Sequence, residues 1–317
     1  MAWYVFYPNV SFYYSLFIIH CSLFIVFPVA QKEIKNKIGA VKKTQTITSA
    51  MQLVAASKIR KAEQQMATSD PYATRIREVM EHIASSHADC LYPYWKGREQ
   101  VRRVGYIVIS TDRGLCGGLN INLFRKVLTD AQNWQQQNVA TDWCLFGNKA
   151  KLFFKTITAN VVAQAERLGD TPAVANLVGN VQVMLKAYAA GTIDRVFIAY
   201  NNFISKMKQS PEIMQLLPVM PSGVKQKHLW DYLYEPDPKV LLDQLLVRYI
   251  EMQVYQAVVD NIASEYAARM VAMKNATDSA NDILDELKLV YNKARQEAIT
   301  REIAEITGGV AALQSNE

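Results

Sequence analysis

The sequence predicts an α/β protein: a long antiparallel coiled coil of N- and C-terminal helices plus a central Rossmann-like α/β domain. Three observations carry this. Uncharged residues recur with an unbroken 4,3 spacing near the C terminus, a glycine-poor run of helix formers lies near the N terminus, and β-branched runs alternate with amphipathic segments between them.

The C-terminal seam is Leu245, Tyr249, Met252, Gln256, Val259, Ala263, Tyr266, Met270, Met273, Thr277, Ala280, Leu284, Leu287, Tyr291, Ala294 and Ala298. A repeat every 3.5 residues over this many turns suits a helix that wraps a partner helix. Asp237 can cap that helix, and Pro238 fits its first position. At 1.5 Å per residue, a helix from there to Val310 is roughly 105 Å long. Gly308 and Gly309 weaken its end. After Ala298 the apolar stripe shifts to Ile299, Ile303, Ile306 and Val310, which reads as a stutter where the partner changes.

Lys32 to about Ala88 supplies the matching helix. Its apolar stripe is Ile34, Ile38 and Val41, resuming at Ile47, Met51 and Val54, and Ala50, Ala55, Ala56 and Ser57 permit close approach. Pro71 is expected to kink or interrupt it. The simplest arrangement pairs the two helices antiparallel, with everything between them forming a separate body.

Within that body the pattern predicts strands over Val104–Ser110, Trp143–Phe146, Val161–Ala165 and Arg195–Tyr200. Helices are expected over Asn120–Gln137, Lys149–Thr156 and Pro172–Ala190, the last capped by Thr171. Strand and helix alternation points to a parallel sheet with helices on its faces. Phe203–Pro221 and Leu229–Tyr234 stay open between strand and loop. The division is 1–30 as an apolar leader, 31–88 and 238–317 as the two helices, and 101–234 as the α/β domain.

A chain of 317 residues, half of them apolar, can bury a core in one α/β domain and still spare two long helices. Its net charge of +6 is concentrated in the first helix: Lys32, Lys35, Lys37, Lys42, Lys43, Lys58, Arg60 and Lys61 face only Glu33 before Glu63. This is either a solvated basic face or a surface for acidic protein loops; nucleic acid is the weaker option, because no base-stacking aromatic accompanies the lysines. Met1–Pro28 is apolar and uncharged, yet lacks the positive leading region and cleavage site of a signal peptide and the arginines of a transit peptide. It reads as a mis-called start, with translation beginning at Val29. A true hydrophobic anchor is the alternative.

The candidate chemistry is thin. Thr111–Asn120, with Gly114, Gly117 and Gly118, stands where a phosphate-binding loop would, between strand and helix, but it makes neither G-x-G-x-x-G nor a Gly-Lys-Ser/Thr run, so a tight turn is expected. Cys21, Cys90, Cys116 and Cys144 form no C-x-x-C pair and read as thiols of a reducing compartment. His82 and His87 fall on different helix faces, so no metal site is expected there. No nucleophile and base pair stands out, and neither a cofactor nor direct nucleotide binding is expected.

Lys32–Ile38, Thr44–Met51 and Val54–Lys58 closely resemble the N-terminal helix of the gamma subunit of F-type ATP synthases. Ser110–Leu123 is similar to that family's central motif, and Ala263–Asp278 and Leu289–Gln296 resemble its C-terminal helix. Ile299–Glu305 followed by Gly309 resembles the terminal signature, with Val310 where Ala is usual. The resemblance covers Gln31–Gln314.

It implies a non-catalytic central shaft of the bacterial type of the enzyme, turning inside a ring of three alpha and three beta subunits. The α/β body would dock, with epsilon, on the membrane-embedded c ring. Proton flow would turn the ring and the shaft, driving the beta sites through their conformations, at the cytoplasmic face of the plasma membrane. The resemblance also nominates contacts between rotor and stator. Lys58, Arg60 and Lys61 would face acidic loops on beta with Met51 in the same zone, and Arg295, Gln296, Thr300 and Glu302 would meet a beta loop higher in the bore. Beyond Glu305 no charge occurs until Glu317, which suits rotation in an apolar sleeve. The family's chloroplast branch carries an inserted regulatory cysteine pair, for which this sequence has no counterpart. A coiled-coil tether and a nucleotide-dependent enzyme on the α/β body are the two rival readings.

Overall fold

The structure, a computed structural model, describes residues 10–86, 97–98, 100–157, 159–166, 169–170, 172, 174–219 and 238–314. Within its helices the description stops at the backbone for 10–30, 81–86, 175–176, 238–243 and 312. The expected leader side chains, the Asp237 and Thr171 caps, the 229–234 segment, His82, His87, Cys21 and Cys90 therefore lie outside it.

In chain order the elements are α1 (Val10–Ser86), β1 (Arg103–Ile109), α2 (Leu119–Gln136), β2 (Ala140–Phe146), α3 (Asn148–Thr156), β3 (Val161–Ala165), α4 (Val174–Ala189), β4 (Arg195–Phe203), β5 (Gln209–Leu217) and α5 (Pro238–Gln314). They form two compact units, Met51–Met273 and the pair of segments Met1–Ala50 and Lys274–Glu317.

In Met51–Met273 the sheet order is β3-β2-β1-β4-β5. The first four strands are parallel, as the alternation of elements predicts, but β5 pairs antiparallel with β4. The reason is connection length: Ile204–Lys208 suffices for a hairpin and is far too short for a parallel crossover. The expected all-parallel sheet is thus a mixed one. Period-2 alternation divides the strands between two cores. Tyr106 and Val108 face Leu123, Val127 and Phe154 of α2 and α3, whereas Ile107 and Ile109 face Leu177, Val181 and Tyr188 of α4. At the β2 to α3 turn, Gly147 (φ +91°) carries its backbone where a Cβ would stand 2.4 Å from the Ser110 carbonyl oxygen, so only glycine fits.

The sheet does not stand apart from the helices. Its second core continues into Ile59, Ile76 and Met80 of α1 and into Ile250, Val254, Val258 and Ile262 of α5. This is why α5 is buried more broadly over Leu246–Ala267 than a two-helix seam requires: it has a helix and a sheet to cover. α1 also runs unbroken through Pro71. The ring removes one amide hydrogen bond, but Ala73, Ile76 and Met80 are buried just beyond it, and packing of this kind outweighs a single lost bond.

In the unit formed by Met1–Ala50 and Lys274–Glu317, the α5 seam holds: Ala280 and Leu284 are buried, while Ile283, Leu289 and Val290 between the seam positions are exposed. The α1 side differs from the stripe expected of it. Ile34, Ile38 and Val41 are half-buried, but the face then passes through Gln45 and Thr48 to Ala55 and Ile59. Gln45 Nε2 donates to Asn281 Oδ1 at 2.8 Å and the Thr48 and Thr277 hydroxyls are 2.8 Å apart, so these polar side chains are satisfied in the seam. Ile47, Met51 and Val54 are consequently on the outside, at 56%, 38% and 56% exposure. α5 continues through Gly308 and Gly309 to Gln314 despite their low helix propensity.

A half-buried polar layer links α1 and α5 within Met51–Met273. Ser69 donates to Gln256 at 2.7 Å, and Gln256 donates to Asp260 at 3.1 Å. Burial, reinforced by the charges of Asp70 and Glu212, pushes the Asp260 carboxyl up to about 7, against the opposing pull of Gln256 and Arg77. Its unfolded value is about 3.9, so between pH ~4 and ~7 the folded chain holds a proton that the unfolded chain has released, and stability falls as pH rises through that window. Asp260→Asn should therefore stabilise the chain at pH 8 by on the order of 1–3 kcal/mol, with the gain shrinking as pH falls toward 4; urea unfolding at several pH values measures this. Ile59→Ala, which opens a cavity where α1 meets the sheet, should cost about 2–4 kcal/mol in the same assay, against less than about 0.5 for the exposed Ile306→Ala.

Candidate functional site

α1 buries Ala55, Ile59 and Ala62 at helical spacing; Leu53 and Arg60 lie on the opposite side of the helix, Val54 and Lys61 on its flank, and Met51, one turn before Ala55, is exposed at the edge of the buried stripe. Leu53 is 68% exposed. Arg60 and Lys61 make no ion pair among the described residues. Lys58 behaves differently. Its Nζ lies 2.6 Å from Asp170 Oδ2 and 5.4 Å from the centre of the Tyr266 ring, and the Tyr266 hydroxyl donates to the same carboxylate. These bonds, from Lys58 first and Tyr266 second, hold the Asp170 carboxyl below its usual range. The Lys58 ammonium is thus engaged inside the chain, joining α1, the segment after β3 and α5.

The glycine-rich turn is also built inward. Thr111 N–H donates to Asn120 Oδ1 at 3.2 Å, Asn120 Nδ2 donates to Thr111 Oγ1 at 2.7 Å, and Thr111 Oγ1 donates to the Arg113 carbonyl at 2.7 Å. Gly117 takes φ +59° beside Ala272 of α5. Arg269 of α5 donates to the Gly114 carbonyl at 3.1 Å and to Glu265 at 2.6 Å. The turn offers carbonyl oxygens to a cation, the opposite polarity to a phosphate cradle, in which amides converge. Burial raises the Glu265 carboxyl and the Cys116 thiol, and the Arg269 charge opposes both. The motif is a dock for α5. Among the described residues, no group of three His, Cys, Asp or Glu side chains stands ready to hold a metal.

Arg295, Gln296, Thr300 and Glu302 belong to the other unit, where all four are exposed on α5. Gln296 and Thr300 are one turn apart, and Arg295 and Glu302 two turns apart, so the four share one broad side of the helix. Ile299, Ile303, Ile306, Val310 and Leu313 are exposed at 43%, 59%, 64%, 49% and 74%. Five large apolar side chains on one helix end form a surface that asks for a partner. The sequence pattern nominates Met51 as a contact, puts Val54 in the seam and does not single out Leu53; that both are exposed follows only once Gln45 and Thr48 are known to hold the seam.

The ATP synthase family model matches residues 30–313. The ATP synthase gamma chains of three Coxiella burnetii strains, Dugway 5J108-111, CbuK_Q154 and RSA 493, are each 54% identical over 285 residues, spanning 89% of this chain and 99% of the relative. The chain belongs to the ATP synthase gamma-chain family. Among solved structures, the fold matches a chain of the Euglena gracilis mitochondrial ATP synthase, in its OSCP/F1/c-ring in rotational state 3, with a TM-score of 0.65, 21% identity and coverage of 91% of this chain and 96% of that one. It also matches a chain of the Tetrahymena thermophila mitochondrial ATP synthase central stalk and c-ring with a TM-score of 0.55, 21% identity and coverage of 73% and 99%. As a gamma-family chain it is a non-catalytic subunit of a membrane-associated complex.

With Asp170 half exposed, solvent screens the Lys58 pair. A double-mutant cycle of Lys58→Ala and Asp170→Ala on unfolding should give a coupling of no more than about 1 kcal/mol, while Arg60→Ala should leave stability unchanged.

Proposed function

We propose that this gamma-family chain is the central rotor shaft of a proton-translocating ATP synthase, turning within three alpha and three beta subunits and docked through its α/β body, with epsilon, on the c ring. It works at the cytoplasmic face of a bacterial plasma membrane. The observation that supports this most directly is the exposed apolar stripe Ile299–Leu313, on a helix end that carries no charge between Glu305 and Glu317. Such a surface fits a sleeve that must hold it without an ionic latch.

The mechanism follows from symmetry. A single chain in a threefold ring presents a different face to each neighbour, so it binds the three catalytic subunits unequally and biases each toward a different conformation. Turning the chain by one-third of a revolution passes each bias to the next subunit. The basic and apolar outer face of α1, with Met51, Arg60 and Lys61, supplies contacts near the body. Arg295, Gln296, Thr300 and Glu302 supply contacts farther along α5. Lys58 contributes chiefly by fixing the segment that holds Asp170.

Recovery from native membranes through a tag on the α/β body should bring down alpha, beta and epsilon subunits; recovery alone or with unrelated proteins would favour a tether. Replacing Arg295 and Gln296 together by Ala should leave assembly intact and lower coupled ATP synthesis about three- to tenfold, the scale of two exposed polar contacts. Unchanged synthesis would remove both residues from the contact set.

A further inference from the structure

We infer that Arg77 of α1 and Asp260 of α5 form a proton-controlled switch in the joint between the two helices. With Asp260 protonated, Arg77 bonds to Gln253; with Asp260 ionised, Arg77 turns its unused Nε–H to the carboxylate. The inference rests on the packing within Met51–Met273 and not on the shaft reading.

Both partners are incompletely engaged. Arg77 donates through Nη2 to Gln253 Oε1 and lies 3.9 Å from Met214 Sδ of β5, but its Nε is buried and has no hydrogen-bond partner. A buried guanidinium N–H without an acceptor costs free energy, and it is a donor held in reserve. Asp260 accepts from Gln256 at 3.1 Å, an amide and not a cation. Gln253, Gln256 and Asp260 follow one another at single-turn spacing on one face of α5, so both acceptors of the switch lie along the same line. A helical side chain leans toward the N terminus of its own helix, so Arg77 reaches back along α1 toward Ser69, which bonds to Gln256 beside Asp260. Gln253 Nε2 donates to the Ala73 carbonyl at 3.4 Å, which ties the glutamine down and leaves Arg77 as the moving part.

Charge gives the switch its direction. The groups that act on Asp260 are Asp70 and Arg77 from α1 and Glu212 from β5, with Tyr200 of β4 beside them, whose hydroxyl burial holds in its neutral form. Burial and the carboxylates of Asp70 and Glu212 favour the protonated Asp260, and among these groups Arg77 carries the one positive charge. Losing the proton sets a third carboxylate beside Asp70 and Glu212. A partly buried charge of that kind is stable only when paired, and Arg77 is the cation within reach. Asp260 is half-buried, so its proton exchanges with solvent. The bonding between α1 and α5 therefore differs on the two sides of the Asp260 titration.

The test is NMR of the full chain, isotope-labelled at the aspartate carboxyls and the arginine Nε. A carboxyl resonance that is absent in D260N should titrate with a midpoint of about 7. The Arg77 Nε–H resonance, identified by its loss in R77K, should move with that same midpoint in the native chain and stay still in D260N. R77Q should raise the Asp260 midpoint by about one pH unit, and R77K should return it most of the way, because lysine restores the charge without the Nε–H. An Asp260 carboxyl that does not titrate near neutral pH overturns the inference. So does an Arg77 signal that ignores the titration or moves equally in D260N, or a midpoint unmoved in R77Q. If R77Q does not fold, the native and D260N spectra decide alone.

Discussion

The pairing of α1 with α5 is the interaction on which the other features depend, because it decides which residues of both helices are left for partners. α5 keeps its 4,3 seam over more than fifty residues, but α1 answers it with Gln45 and Thr48 where an apolar stripe would have continued. Gln45 is satisfied by Asn281 and Thr48 by Thr277 across the seam, and polar layers in a coiled coil are a known means of fixing register. With the register fixed there, Ile47, Met51, Leu53 and Val54 have nowhere to go but outward.

The same helix then changes its surroundings along its length. Within Met51–Met273, α5 is covered by α1 and by the sheet together, and the glycine-rich turn grips it through Arg269. Within Lys274–Glu317 only the seam is covered, and beyond Ala298 the apolar side chains are exposed. The Lys58–Asp170–Tyr266 junction and the Arg269 dock hold α5 and α1 to the segments between the strands.

Strong periodicity made the two helices and the four parallel strands legible in the sequence. β5 was not, since Gln209–Leu217 contains Pro211 and polar residues and becomes a strand through its pairing with β4. An interruption at Pro71, one of the two outcomes its ring suggests, does not occur, because local rules weigh one hydrogen bond and not the packing of Ala73, Ile76 and Met80. The α1 stripe was misplaced because Gln45 and Thr48 do not look like seam residues until their partners on α5 are known. Of the candidate contacts, exposure of Arg60, Lys61 and Arg295 follows from helix phase, whereas the engagement of Lys58 depends on Asp170, more than a hundred residues away, which no local pattern reveals.

Single-molecule rotation tests the shaft role most directly. With the alpha and beta ring fixed to a surface and a bead attached to the α/β body of this chain, adding ATP should turn the bead in one direction in three equal steps per revolution. A bead that stays still or only fluctuates while the complex hydrolyses ATP would contradict the role assigned to this chain.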